Sequence, residues 1–263
     1  MSFAPGRYAV LARFYGSSAA TGGGWFAEES VALVDVRRVP GSTGLTMNWE
    51  TCAYRGQITV PLFPLISYAV LSPQTFPRRT FALTVAGTSF QAMGEPGLAG
   101  YEALPASSCP SGSAQTHGDR GWLTGGRCTC PTSELPPTAV DDCRVIDSDS
   151  DGKPGFTVQF TGGAENFSYS RMRDASQIVG GQLSADGRHT AQFVANVDTY
   201  QLRCAREPCS RGSTQACPVS KNPVRFLPLD AKPDGRDWSC SEAVAAVDAS
   251  GLVGLGLPTQ PDC

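Results

Sequence analysis

The sequence predicts a mainly β protein, a barrel or sandwich built from two antiparallel meanders and followed by one short C-terminal helix. Three observations support this fold class. The 263-residue chain contains 29 Gly and 20 Pro, which favour short elements joined by turns. Several segments alternate apolar and polar side chains with the period of two that is typical of strands. The ten cysteines form an even set, which indicates a disulfide framework.

The first β half spans residues 1–101. Strands are predicted at 8–15, 31–36, 45–50 and 80–85, because each segment alternates and most are bounded by turn residues. Ser42-Thr43-Gly44 is turn material, so a hairpin is expected between the second and third of these strands. The apolar segment 60–66 contains two prolines, which cannot donate ladder hydrogen bonds, and is predicted as a loop or an edge.

A cysteine-rich connection, residues 102–155, precedes the second β half and tail, residues 156–263. The second half is expected to continue as a meander, with strands predicted at 156–160, 167–172, 177–183, 190–197, 199–204 and 224–229. Ser239 and Glu242 fit a capping box at the start of the short helix. Because the first half holds a single cysteine, Cys52, we favour one composite domain over residues 1–263. Two separate small sheets are the alternative.

The cysteine count also predicts an oxidising location. Disulfides persist outside the cytosol, so the chain is expected to be secreted, periplasmic or on the cell surface. Its first eight residues lack the charged and apolar regions of a signal peptide, and we therefore expect a mature chain without its leader. A cytosolic zinc protein with free thiols is the competing interpretation, although the cysteine spacings do not suit zinc ribbons. Cys143 is predicted to pair with Cys128 or Cys130, and Cys204, Cys209 and Cys217 to enclose a stapled loop.

The charge pattern argues against two classes of partner. A formal net charge of -3, without clustered Lys or Arg, argues against nucleic-acid binding. No run approaches the roughly 20 apolar residues of a membrane-spanning helix, so no transmembrane segment is predicted.

One motif suggests a metal. Asp147, Asp149 and Asp151 are spaced by two residues and are followed by Gly152, so three carboxylates can converge on one hard cation. The glycine permits the sharp turn that brings the carbonyl of Lys153 into the same sphere. The pattern predicts a structural Ca²⁺ site. It is not an EF-hand, because the twelfth loop position, which is a glutamate in EF-hands, is Val158 in this chain.

The loop resembles the Asp-rich calcium loops of thrombospondin type 3 repeats and of related bacterial secreted proteins, over about a dozen residues. The missing ligands must come from elsewhere, and Asp142 is predicted as one, with Asp141 and Glu165 as further candidates. The alternative is an Asp-rich turn whose carboxylates accept backbone N–H groups without any metal.

Catalytic motifs are not found. His117 and His189 are the only histidines, and neither a G-x-S-x-G elbow nor an H-E-x-x-H helix occurs. His189 follows the predicted hairpin turn Asp186-Gly187 and is expected to be exposed to solvent. Among the tryptophans, Trp49 is predicted in the core, and Trp25 is the better candidate for an exposed ligand-stacking residue.

The overall pattern resembles uncharacterised exported or lipoprotein-like bacterial proteins, a resemblance that implies no chemistry. The leading hypothesis is a calcium-stabilised binding or structural module of the cell envelope or extracellular space, with an unknown small ligand or surface component as its partner. A secreted hydrolase acting on glycans or esters is the second hypothesis. The third is a subunit of a surface assembly.

Overall fold

The structure, a computed structural model, describes residues 3–18, 24–59, 65–104, 108–162, 166–194, 196–204, 211–212, 214–216 and 222–251. Its strands are β1 (Gly6–Ser18), β2 (Gly24–Arg38), β3 (Leu45–Thr59), β4 (Ile66–Val70), β5 (Arg79–Ala86), β6 (Ser89–Gly94), β7 (Gly97–Ala99), β8 (Ala114–Thr116), β9 (Arg127–Thr129), β10 (Phe156–Thr161), β11 (Phe167–Asp174), β12 (Gln177–Gln182), β13 (Thr190–Val194), β14 (Val197–Arg203), β15 (Arg211–Gly212), β16 (Thr214–Ala216) and β17 (Pro223–Leu229). One α-helix, α1 (Cys240–Ala249), follows them.

Eight antiparallel strands close into a barrel, which confirms the predicted fold class. Their order around the barrel is β1-β2-β3-β5-β6-β12-β13-β17, and β17 pairs with β1 to complete the circle. Alternate side chains of each strand point inward and form one apolar core. Its largest members include Trp49, Met47, Phe81, Phe90 and Phe226. The core position predicted for Trp49 is confirmed.

The short helix covers part of the outer face of the barrel. Ala243 and Val247 of α1 pack on Leu11 of β1 and Leu33 of β2. These strand residues alternate with those that point into the barrel core. Both faces of β1 and β2 are therefore buried, and both are apolar. The predicted capping box is present: the Ser239 side chain accepts from the Glu242 N–H, and the Glu242 side chain accepts from the Ser239 N–H. No helix in the described part of the chain is both long and apolar enough to cross a membrane.

A second sheet branches from the barrel at β3. The first part of β3, from Leu45 to Trp49, pairs with β5 inside the barrel, and its later part, from Arg55 to Ile58, pairs with β4. From β4 the side sheet continues through β10, β11 and β14 to β15, and β7 pairs with β11 beside β10. Strands of the second half thus contribute to both sheets.

Three disulfides lie within the described residues, and the seventh described cysteine, Cys204, is also disulfide-bonded. Cys52–Cys240 links β3 to the start of α1, while Cys109–Cys130 and Cys128–Cys143 lie close together in the connection. The predicted partnership of Cys143 is confirmed, with Cys128. None of the described cysteines has a free thiol, which removes the free-thiol zinc interpretation for them. Cys209 and Cys217 of the predicted stapled loop lie outside the described residues.

The expected exposure of His189 is wrong. Its side chain is 3% exposed and its ring centroid lies 4.5 Å from that of Phe3. The turn 184–188 is at the surface, but residue 189 begins the return into the barrel, and its Nδ1 accepts from the Ser184 N–H at 3.2 Å. Burial lowers the pKa of His189, since an apolar surrounding disfavours the charged ring.

Candidate metal loop and adjoining cleft

The acidic loop, residues 147–155, brings the predicted carboxylates together. Oxygens of Asp147, Asp149 and Asp151 lie within 4.8 Å of one another. Two oxygens bound to one Ca²⁺ at about 2.3–2.6 Å can lie at most about 5 Å apart, so this spacing suits a shared ion. The positive φ of Gly152 (+78°) produces the turn that the motif predicts.

Backbone N–H groups of the loop already donate to the same carboxylates. Asp147 accepts from Gly152 N at 2.8 Å, and Asp151 accepts from Lys153 N at 2.8 Å. The Thr157 hydroxyl donates to the second oxygen of Asp151 at 2.6 Å. These hydrogen bonds are those of an Asp-rich turn and are compatible with metal binding, because each carboxylate oxygen has two lone pairs.

Asp149 distinguishes this loop from an ordinary turn. Its Oδ2 accepts from Thr157 N at 2.8 Å, but its Oδ1 is buried and has no hydrogen-bond partner among the described residues. Burial raises the pKa of Asp149, and the charges of Asp151 and Asp147 raise it further. A buried, unpartnered carboxylate oxygen beside two other carboxylates is a costly arrangement that a bound cation would relieve.

The acidic loop is anchored on β11 by two glycines. Gly100 (φ +78°) and Gly155 (φ +88°) both approach the carbonyl oxygen of Ser170, in the gap between β7 and β10. A Cβ at Gly155 would lie 2.2 Å from that oxygen, so no other residue fits there without displacing the backbone. The position of the loop relative to the side sheet is therefore fixed by backbone contacts.

The remaining predicted ligands lie differently. The Lys153 N–H donates to Asp151 within the loop, and its carbonyl stays a predicted ligand. Asp142 is not in the group formed by the three loop carboxylates; its two oxygens accept from Arg144 Nε at 3.1 Å and Arg144 Nη2 at 2.8 Å. Glu165 lies outside the described residues. Two further groups contain cysteines, but these are disulfide sulfurs, which lack the thiolate charge of a metal ligand.

A cleft of about 560 Å³ lies beside the loop, between the side sheet and the disulfide-bonded connection. This volume falls in the range of about 300–1,000 Å³ that is usual for small-ligand sites. The cleft is lined by Leu98, Tyr101, Ala103, Leu104, Cys109, Ser111, Pro131, Thr132, Ser133, Glu134, Pro136, Arg144 and Arg173. Apolar groups thus share its wall with a few charged ones.

The acidic loop holds one wall of this cleft. Gly100 N donates to the Ser148 hydroxyl at 2.8 Å, and Ile146 N donates to the Gly100 carbonyl at 3.1 Å. Next to these contacts, Tyr101 forms an antiparallel bridge with Val145. Because Tyr101 lines the cleft, a movement of the loop would be transmitted directly to the cleft wall.

A second polar cluster, partly buried, lies where β2, β3 and β4 meet. The Glu28 carboxylate accepts from the Tyr54 hydroxyl at 2.5 Å and from the Tyr68 hydroxyl through its other oxygen. The ring of Tyr68 lies over Gly56, where a Cβ would be 2.4 Å from the ring. Burial raises the pKa of Glu28 to about 7, the tyrosine hydrogen bonds oppose this rise, and the charge of Asp174 adds to it.

The sequence indicated the acidic loop but neither the cleft nor the Glu28 cluster. The residues lining the cleft come from β7, β11 and the connection, and only the disulfides and the side sheet bring them together. Trp25, the aromatic expected to be exposed, is partly buried on β2.

No family model, curated protein or solved structure matches the chain. Its function must therefore be argued from its own geometry.

Proposed function

We propose that the protein is a calcium-stabilised binding module of the extracellular space or cell envelope, with the cleft as its ligand site. The observation that carries this proposal is the cleft itself, which is large enough for a small ligand and is bordered by a disulfide. Disulfides support a location outside the reducing cytosol, whether secreted, periplasmic or anchored as a lipoprotein.

Calcium has a structural role in this proposal. Asp147, Asp149 and Asp151 would hold the ion, with the Lys153 carbonyl and water as further ligands. The ion would neutralise the carboxylates and fix Ser148 in its contact with Gly100, which holds the cleft wall. Oxygen-only donors favour Ca²⁺ over softer metals, since carboxylate and carbonyl ligands are hard.

Removal of calcium is expected to lower the melting temperature of the protein. An ion that binds only the folded state stabilises it by about 1.4 kcal/mol at ten times its Kd, or about 4 °C for a chain of this size. The Asp149→Asn variant is expected to lose this shift. In excess chelator, the same variant should be at least as stable as the wild type, because one of three clustered charges is gone.

Differential scanning calorimetry with calcium and with chelator measures both effects. Asp119→Asn is the matched control, since Asp119 is an exposed carboxylate in the same connection, outside the acidic loop. The calcium role is refuted if the wild type melts at the same temperature in both buffers, or if Asp149→Asn shifts as much as the wild type.

A hydrolase is the second candidate, and the Glu28 cluster favours it. A carboxyl group with a pKa of about 7 is protonated in about half of the molecules at neutral pH, so a large fraction can act as a general acid. Asp174 is close enough to raise that pKa and could serve as the second carboxylate. Hydrolysis of chromogenic glycosides or esters by the wild type, lost in Glu28→Gln, would support this function, and absence of turnover across such a panel would reject it.

A further inference from the structure

One guanidinium in the cleft, that of Arg173, has no partner among the residues that the structure describes. The guanidinium forms no hydrogen bond and no ion pair with any residue that the structure describes, although the side chain is partly buried. It stands opposite Leu98 in the ladder between β11 and β7, so both side chains lie on the sheet face that forms the cleft wall.

The neighbouring arginines are neutralised, in contrast to Arg173. Asp198, which is opposite Arg173 in the ladder between β11 and β14, accepts instead from Arg171 Nη1 at 2.5 Å. Arg144 is held by both oxygens of Asp142. A partly buried guanidinium without a carboxylate is less favourably solvated than one in open water, and an anion that binds it supplies charge-assisted hydrogen bonds.

Tyr101 adds a second donor at the same place. Its side chain is buried, and its hydroxyl has no hydrogen-bond partner among the described residues. Burial raises the pKa of Tyr101, and the charge of Asp198 raises it further, whereas the positive charges of Arg171, Arg173 and Arg144 act to lower it. The end of the cleft at Tyr101 therefore places a hydroxyl, without a partner among the described residues, near the guanidinium of Arg173.

We propose that the cleft binds an organic monocarboxylate, with its carboxylate on Arg173 and the Tyr101 hydroxyl and its apolar body against Leu98, Leu104 and Pro136. This inference rests on the proposed function, since it names the ligand class of the same cleft. One unneutralised guanidinium matches one negative charge. The carboxylate of Glu134 in the cleft wall would repel a second negative charge on the ligand, so a phosphate dianion is disfavoured.

A matched pair of probes tests the charge requirement. 3-Phenylpropanoate carries an aromatic body and one carboxylate, and 3-phenylpropanamide has nearly the same shape without the charge. Titration of each into the full-length protein with calcium, followed by ¹H–¹⁵N NMR, should show the carboxylate binding about tenfold more tightly than the amide.

Three variants locate the site. Arg173→Met keeps an apolar stem but removes the charge, and should weaken carboxylate binding about tenfold while leaving the amide unchanged. Arg38→Met is the control, because Arg38 is an exposed arginine on β2, outside the cleft. Ala103→Trp fills the cleft and should abolish binding of both probes. Melting temperatures equal to the wild type exclude misfolding of each variant.

The outcomes separate two failures. Equal affinity for carboxylate and amide, with both blocked by Ala103→Trp, overturns the monocarboxylate inference and leaves the cleft as a ligand site. Binding that survives Ala103→Trp, or no binding of either probe, overturns both the inference and the use of this cleft.

Discussion

Replacing Cys52 and Cys240 by serine is expected to lower the free energy of unfolding by about 5 kcal/mol. The disulfide closes a loop with a sequence separation of 188 residues, and the entropy that it removes from the unfolded chain grows with loop length. It also fixes the first turn of α1 to β3, where Ala243 and Val247 cover the outer face of the barrel. Urea denaturation of the oxidised protein measures the loss.

The shorter disulfide Cys109–Cys130, with a separation of 21 residues, provides the comparison. The corresponding double serine variant should lose about 3 kcal/mol by the same reasoning. If removal of Cys52–Cys240 costs no more than removal of Cys109–Cys130, the loop-length explanation is wrong. The docking of the helix would then be independent of its covalent link.

The stability of the protein is expected to fall as pH rises from about 4.5 to about 7, because of Glu28. The folded state raises the pKa of this carboxyl from 4.5 to about 7, so it holds the proton more tightly than the unfolded chain does. This contribution is complete below the unfolded pKa and is lost as pH rises through the folded one. At about 1.4 kcal/mol per pKa unit, and with allowance for partial exposure, it amounts to about 2 to 3 kcal/mol.

Glu28→Gln keeps acceptor and donor groups for Tyr54 and Tyr68 but cannot ionise. The free energy of unfolding of the variant, minus that of the wild type, should therefore be about 2 to 3 kcal/mol larger at pH 8 than at pH 4.5. Urea denaturation at each pH measures both free energies. Glu102→Gln is the control, since Glu102 is exposed, and its curve should run parallel to that of the wild type. Parallel curves for Glu28→Gln would contradict the prediction.

The sequence predicted those features that depend on neighbouring residues. The alternation from Tyr8 to Tyr15 locates β1, and Ser239 with Glu242 locates the start of α1, because both signals are local. β6 was not predicted, since its sequence, Ser89–Gly94, has Phe90 as its only bulky inward residue. Its strand conformation is stabilised by pairing with β5 and β12, which a local pattern does not reveal.

Features that depend on distant contacts could not be predicted. The partner of Cys52 is decided by where α1 docks, and the pairing of Tyr68 with Glu28 is decided by the register of β4 against β3. The ion pair between Asp142 and Arg144, two residues apart, depends on how the connection folds around them. The Asp spacing of the acidic loop is visible in the sequence. The burial of the unpartnered Asp149 Oδ1 depends on the fold and could not be predicted.

The closure of the barrel by β17 has a kinetic consequence. Until residues 223–229 are available, the part of β1 from Arg7 to Ala12 lacks its partner strand and presents unpaired N–H and C=O groups along one edge. Non-local pairing of this kind slows folding, and a long unprotected edge can capture an identical edge on another molecule. We therefore expect the yield of refolding from denaturant to fall as protein concentration rises, and a peptide that mimics β17 to compete for the open edge.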